Sequence, residues 1–119
     1  MRMRDAQPAL DLLEFVTAYK VCALWADNID DKALFEIDET TEGKMIDDCK
    51  KFMSENAEDL KTMGDMKQAG HDFWLTRNGH GAGFWDRGLG AVGERLTKSA
   101  VSFGVVSMYI GDDGKVYQE

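Results

Sequence analysis

All but Gly43 of the 12 glycines lie at or beyond residue 64. No other feature constrains the fold as much. Glycine inside a helix costs about 1 kcal/mol relative to alanine, and it serves best where φ is positive or backbones approach closely. The chain therefore divides into a front half able to form long helices and a back half of short pieces and tight turns.

In the front half, Pro8 to about Ala26 reads as a helix. Pro8 suits a first turn, where its missing N–H costs nothing. Leu10, Leu13, Val16, Tyr19 and Leu24 fall near helical spacing, and Leu12, Phe15, Cys22 and Trp25 widen the stripe. An apolar face this broad predicts a largely buried central helix. Residues 27 to 40, "DNIDDKALFEIDET", lose the period. Their carboxylates raise the question of calcium. An EF-hand loop starting at Asp27 would put Ile29 third and Lys32 sixth, where an oxygen ligand and a glycine are required, so the pattern fails. An acidic surface connection anchored by Leu34, Phe35 and Ile37 fits better. A second helix is predicted from about Thr41 to Leu60, with Met45, Cys49, Phe52, Met53 and Leu60 on one stripe and Asn56 capping a separate last turn. Residues 61 to 70, "KTMGDMKQAG", read as a connector.

The back half opens on "HDFWLTRNGHGAGFWDR", residues 71 to 87, which holds both histidines. Asn-Gly is a strong hairpin signal, because both central positions of the tight turn need positive φ. Two strands around "NGHG" are therefore expected. Pleating would put His71, Phe73, Leu75, Arg77, Ala82, Phe84 and Asp86 on one face. Asp72, Trp74, Thr76, Gly81, Gly83 and Trp85 would lie on the other. On the first face Phe73, Leu75 and Phe84 would be core, and His71 could pair with Asp86. On the second, Trp74 and Trp85 would be half-buried or would form a binding ledge. A third helix follows, roughly Leu89 to Phe103, stopped by Gly104. A second hairpin closes the chain: "VVSMYI", the turn "GDDG", then "KVYQ". The order α-α-β-β-α-β-β predicts a single α+β domain over residues 1–119, a small, mainly antiparallel sheet of two hairpins covered by helices.

Charge and composition limit the function. The 119 residues are 44% hydrophobic and 30% charged, a globular balance. No apolar run approaches the roughly 18 residues of a membrane span. The basic start Met1-Arg2-Met3-Arg4 leads into a helix bearing Asp11, Glu14 and Lys20, unlike a signal peptide. The net charge of −8 is concentrated in residues 27 to 67. Such a surface repels phosphate backbones, so direct nucleic-acid binding is not expected, while a basic protein surface would be attracted. Cys22 and Cys49 fall on apolar helix faces and read as two buried thiols in a cytoplasmic protein.

Candidate chemistry gathers in residues 71 to 87. His71, Trp74, Arg77, Asn78, His80, Trp85, Asp86 and Arg87 are the candidate binding residues. They do not compose a catalytic set: Thr76 would point away from His71, and the histidines and cysteines lack zinc-ligand spacing. No metal and no cofactor are expected. "RGLGAVG" opens a helix and could seat an anion, but without a Rossmann-type strand or G-x-x-x-x-G-K the signal is weak.

"AGHDFWLTRNGHGAGFWDRGLG", "GERLTKSA" and "YIGDDGKVY" resemble a family of small bacteriophage- and prophage-encoded proteins to which no activity is assigned. "AYKVCALW" and "DDCKKFMSENAEDL" resemble its N-terminal half. The resemblance implies a phage gene expressed in a bacterial cytoplasm and carries over no catalytic residue. The leading expectation is a non-enzymatic accessory protein that binds a host or phage protein. The alternative is a small-ligand or nucleotide site, with hydrolysis as one use, formed by His71, Arg77, Asn78, His80, Asp86 and Arg87. Arginine forks and glycine amides suit a phosphate or carboxylate.

Overall fold

The computed structural model describes residues 3–119, with side chains from Ala6 onward, so the start at Met1-Arg2 lies outside the described residues. The fold is helix-dominated, with one small two-stranded antiparallel sheet. Helix α1 runs Met3–Ala26, α2 Glu39–Glu55, α3 Ala57–Met63, α4 Met66–Arg77 and α5 Ala91–Val101. Short 3-10 turns occupy Asp31–Glu36 and Phe84–Asp86. Strands β1, Met108–Ile110, and β2, Val116–Gln118, form the sheet.

The second hairpin forms as expected, with Tyr109 opposite Tyr117 and the "GDDG" turn between the strands. It is tied to the end of α1 and the start of α2 by two hydrogen bonds. Asp38 N–H donates to the Val116 carbonyl at 2.9 Å, and Met108 N–H donates to Asp27 Oδ2 at 2.7 Å.

The first hairpin does not form. Residues His71 to Arg77 lie in α4, and Phe84 to Asp86 make a 3-10 turn. The expected connector at 61–70 is likewise the end of α3 and the first turns of α4. The local chemistry explains why. Gly64 ends α3 in the left-handed conformation, φ 70°. Asp65 then caps α4, its carboxylate accepting from Gln68 N–H at 2.9 Å. Asn78-Gly79 terminates α4 instead of turning a hairpin. Asn78 Nδ2 donates to the Trp74 carbonyl at 3.0 Å, and Gly79 takes φ 69°.

Helix α4 is the centre of the molecule. Ala69, Gly70 and every residue from Asp72 to Arg77 are buried. Helix α1 lies along it, closest at Gly70, where a Cβ would stand 2.9 Å from the carbonyl carbon of Phe15. An aromatic cluster fills the space between α1, α2, α4 and the chain after α5. Phe52 stacks on Phe73 at 4.2 Å, Tyr19 on Phe73 at 5.1 Å and Phe84 on Phe52 at 5.6 Å. Phe73, Leu75 and Phe84 are thus core, as expected, although on helical elements.

Smaller corrections follow from the same packing. Pro8 lies inside α1, not in its first turn. Asn56 separates α2 from α3, but its side chain donates to the Phe52 carbonyl and to Ser99 Oγ. Leu34 and Ile37 are half-buried as anchors, whereas Phe35 is 89% exposed. Cys22 and Cys49 are free, buried thiols. No described helix is long and apolar enough to cross a membrane.

Candidate interaction surface

Two arginines of the sequence-predicted set are committed to internal ion pairs, Arg77 from within the core and Arg87 from the surface. Arg77 is buried at the end of α4. Its Nε donates to the Gly104 carbonyl at 2.9 Å, and its Nη2 to the Phe103 carbonyl at 2.9 Å. Its Nη1 donates to Tyr19 Oη and to Asp48 Oδ2, each at 2.8 Å. The guanidinium also lies over the Phe73 and Phe103 rings. One side chain thereby joins α4, α1, α2 and the segment after α5. Arg87 grips Asp72 with both prongs, Nε to Oδ2 at 2.9 Å and Nη2 to Oδ1 at 2.7 Å. Asp72 is fully buried, and Gln68 Nε2 supplies a further donor at 2.8 Å. A buried carboxylate needs such partners, because an unpaired one costs several kcal/mol or more. The bond to Asp72 raises the pKa of Arg87 above its ordinary value.

The other candidates scatter. Trp74 is buried against Tyr19 in an edge-on contact at 5.3 Å. Asn78 Oδ1 accepts from Val106 N–H at 2.8 Å, so its amide holds the chain after α5. Trp85 and Asp86 stand exposed on the 3-10 turn, and His80 is exposed on the preceding loop. The acid beside His71 is Asp72, 3.4 Å from Nδ1, and not Asp86. The structure does not gather these residues around one ligand. Asp72, which closes the Arg87 fork, was absent from the set.

A different surface is assembled by α1. At about 3.6 residues per turn, Phe15, Tyr19, Cys22 and Ala23 point to the core and are buried. Leu10, Leu13, Thr17, Val21 and Trp25 follow the same period on the opposite side. Leu13 is 63% exposed and Trp25 68%. The breadth of the apolar pattern predicts a largely buried helix; the structure buries one face and leaves Leu10, Leu13, Val21 and Trp25 exposed on the other. The signal was present in the sequence as a stripe too wide for one core contact.

The outer stripe borders a trough between α1 and the start of α4. One stretch of about 760 Å³ is lined by Leu13, Thr17, Val21, Glu14, Asp65, Lys67 and His71 among others. The next, about 540 Å³, shares Val21 and His71 and adds Trp25, Ile29, Asp30 and Asp31. A third, about 600 Å³, continues past Trp25 to His80. The two histidines thus belong to this trough, His71 at its middle and His80 at its end.

Cys22 borders the trough beside His71, but burial, reinforced by the Asp72 charge, pushes the thiol up to about 12. A thiol that holds its proton is a poor nucleophile. Among the described residues, no three His, Cys, Asp or Glu side chains come together to hold a metal ion. No protein-family model matches the chain, and no curated protein or solved structure matches it.

Proposed function

We propose that this chain is a phage accessory protein that acts by binding another protein, of the phage or of its bacterial host, and catalyses no reaction of its own. The observation that supports this reading is the second apolar face of α1. Leu10, Leu13, Val21 and Trp25 are exposed along one helix. Contiguous apolar surface of this kind marks an interaction site in a folded domain. Trp25 with acidic groups around it offers an aromatic anchor with a polar rim, the arrangement on which binding energy concentrates, and the neighbouring leucines extend the apolar contact. The phage setting rests on the resemblance of the 69–90 segment, and the acidity of residues 27 to 67 supports a basic counterpart.

The test is site-specific photo-cross-linking in bacterial cells. A cross-linker at Thr17, on the outer stripe, should give a discrete protein adduct that saturates with expression level. The same group at Lys98, exposed on α5, is the comparison. Equal, diffuse labelling from both positions would remove the proposal.

A further inference from the structure

We infer that the occupant of the α1–α4 trough is a basic amphipathic α-helix of another protein, about four turns long. This rests on the interaction reading above and names the partner's chemistry. The shape argument comes from spacing. Leu13, Thr17, Val21 and Trp25, with Leu10 one turn before them, form an inclined i, i+4 ridge along α1. Side chains repeating at three and four residues make ridges whose natural complement is the grooves of a second helix. At about 1.5 Å per residue the row is about 22 Å long, which a partner helix of about 15 residues covers. The wall supplied by Asp65, Gln68 and His71 closes one side, so the site is a groove and not a flat face. Laying an amphipathic helix into such a groove is a recurrent mode of peptide recognition.

The charge argument selects the partner. Glu14 and Asp65 line one end of the trough and Asp30 and Asp31 the other, with Lys67 as counter-charge. A helix with leucines inward and lysines or arginines at its margins meets this rim favourably. A second copy of this chain would set the same acids against each other, on a molecule of net charge −8. An anionic membrane or nucleic acid would meet the same repulsion.

The experiment uses the full chain and a synthetic leucine–lysine peptide of about 18 residues, patterned as an amphipathic helix. The expected result is saturable binding that protects Trp25, not Trp85, from quenching and weakens as salt rises. Glu14→Lys with Asp31→Lys should weaken binding about tenfold, and Lys67→Glu should strengthen it. These three side chains are exposed, so the fold should survive. Equal affinity for a leucine–glutamate version of the peptide would overturn the inference. So would unchanged binding to Leu13→Ser/Trp25→Ser. Sedimentation of the chain alone as a dimer that Leu13→Glu dissociates would make a second copy the occupant instead. If Thr17 still cross-links to a protein in cells while the basic peptide neither binds nor competes, the interaction reading stands and this inference falls.

Discussion

Gly70→Ala is the sharpest test of how α1 and α4 meet. A Cβ at this position would stand 2.9 Å from the carbonyl carbon of Phe15 and 3.1 Å from its Cα, with the carbonyl oxygen closer still. All three are backbone atoms of α1, so no rotamer change relieves the clash. Carbon atoms settle at about 3.5–4.0 Å, so the helices must part by roughly an ångström. Phe15 and Tyr19 then lose part of their contact with α4, where both rings now pack on Phe73. A buried side chain of this size makes several tens of contacts worth about 0.1 kcal/mol each. A gap of that width forfeits about half of the attraction on the side of each ring that faces α4, or ~1 kcal/mol per ring. Strain from overpacking is of similar size. Alanine's better helix propensity returns about 1 kcal/mol. The net cost is about 2–3 kcal/mol, or a fall of roughly 10 °C in Tm for a domain of this size. Gly43→Ala in α2 is the control. Nothing lies within 4 Å of its Cβ, so propensity alone should act and raise stability by up to about 1 kcal/mol. Urea unfolding of both variants, with unchanged m, reads the difference. If Gly70→Ala matches or exceeds the wild type, α1 and α4 are not in the close contact described.

Phe84→Ala should cost about 3 kcal/mol, because the ring is fully buried against Phe52, whereas His80→Ala on the exposed loop should change stability by less than about 0.5 kcal/mol; the reverse order of melting temperatures would invert this assignment. Arg77→Lys should lower stability by about 3–5 kcal/mol, since an ammonium cannot reach the four acceptors that the guanidinium fork joins. A wild-type urea midpoint for that variant would show that charge alone suffices. Cys22 and Cys49 should resist alkylation in the folded protein at pH 8 and react only on unfolding. Folded Cys22 keeps its proton up to about 12 against an ordinary 9.0, and burial shifts Cys49 in the same direction. Their contribution to stability is therefore intact below about pH 9 and is lost as pH rises from there through the folded value. A melting temperature that climbs between pH 9 and 11 would contradict this sign.

The front helices, α5 and the final hairpin were legible because their apolar residues recur at the right period or flank a tight turn. Helix α4 was not, for a physical reason. Buried on nearly every side, it shows no amphipathic stripe. Its polar residues Asp72, Thr76 and Arg77 sit inside because partners far along the chain satisfy them: Arg87, Phe84 N–H, Tyr19 and Asp48. Periodicity cannot see such pairing, and the Phe-Trp-Leu run then looks like a strand. Two local signals did favour a helix. Asp65 and Gln68 have the spacing of a capping box, and Asn78-Gly79 serves a helix stop as well as it serves a hairpin turn. The same misreading would have presented Arg77 and Arg87 to a ligand on a hairpin, whereas Arg77 is buried in α4 and Arg87 is paired with Asp72.

The helical course of that segment also bears on the interaction proposed above. With α4 at the centre, α1 packs on one side of it and turns its second apolar face outward. The 71–87 segment then supplies the interior: Phe73, Trp74 and Phe84 fill it, and Arg77 and Arg87 lock it. Substitution there should act first on stability. The proposed partner surface lies instead on α1, where Leu13, Val21 and Trp25 take no part in the core. A substitution such as Trp25→Ser removes an exposed ring and leaves the core contacts in place, so it should alter binding without unfolding the chain. The two regions thus separate by phenotype, and a survey of variants scored for both stability and partner capture would reveal the division. Variants of Arg77 and Arg87 that lost capture at full stability would return the site to the 71–87 segment.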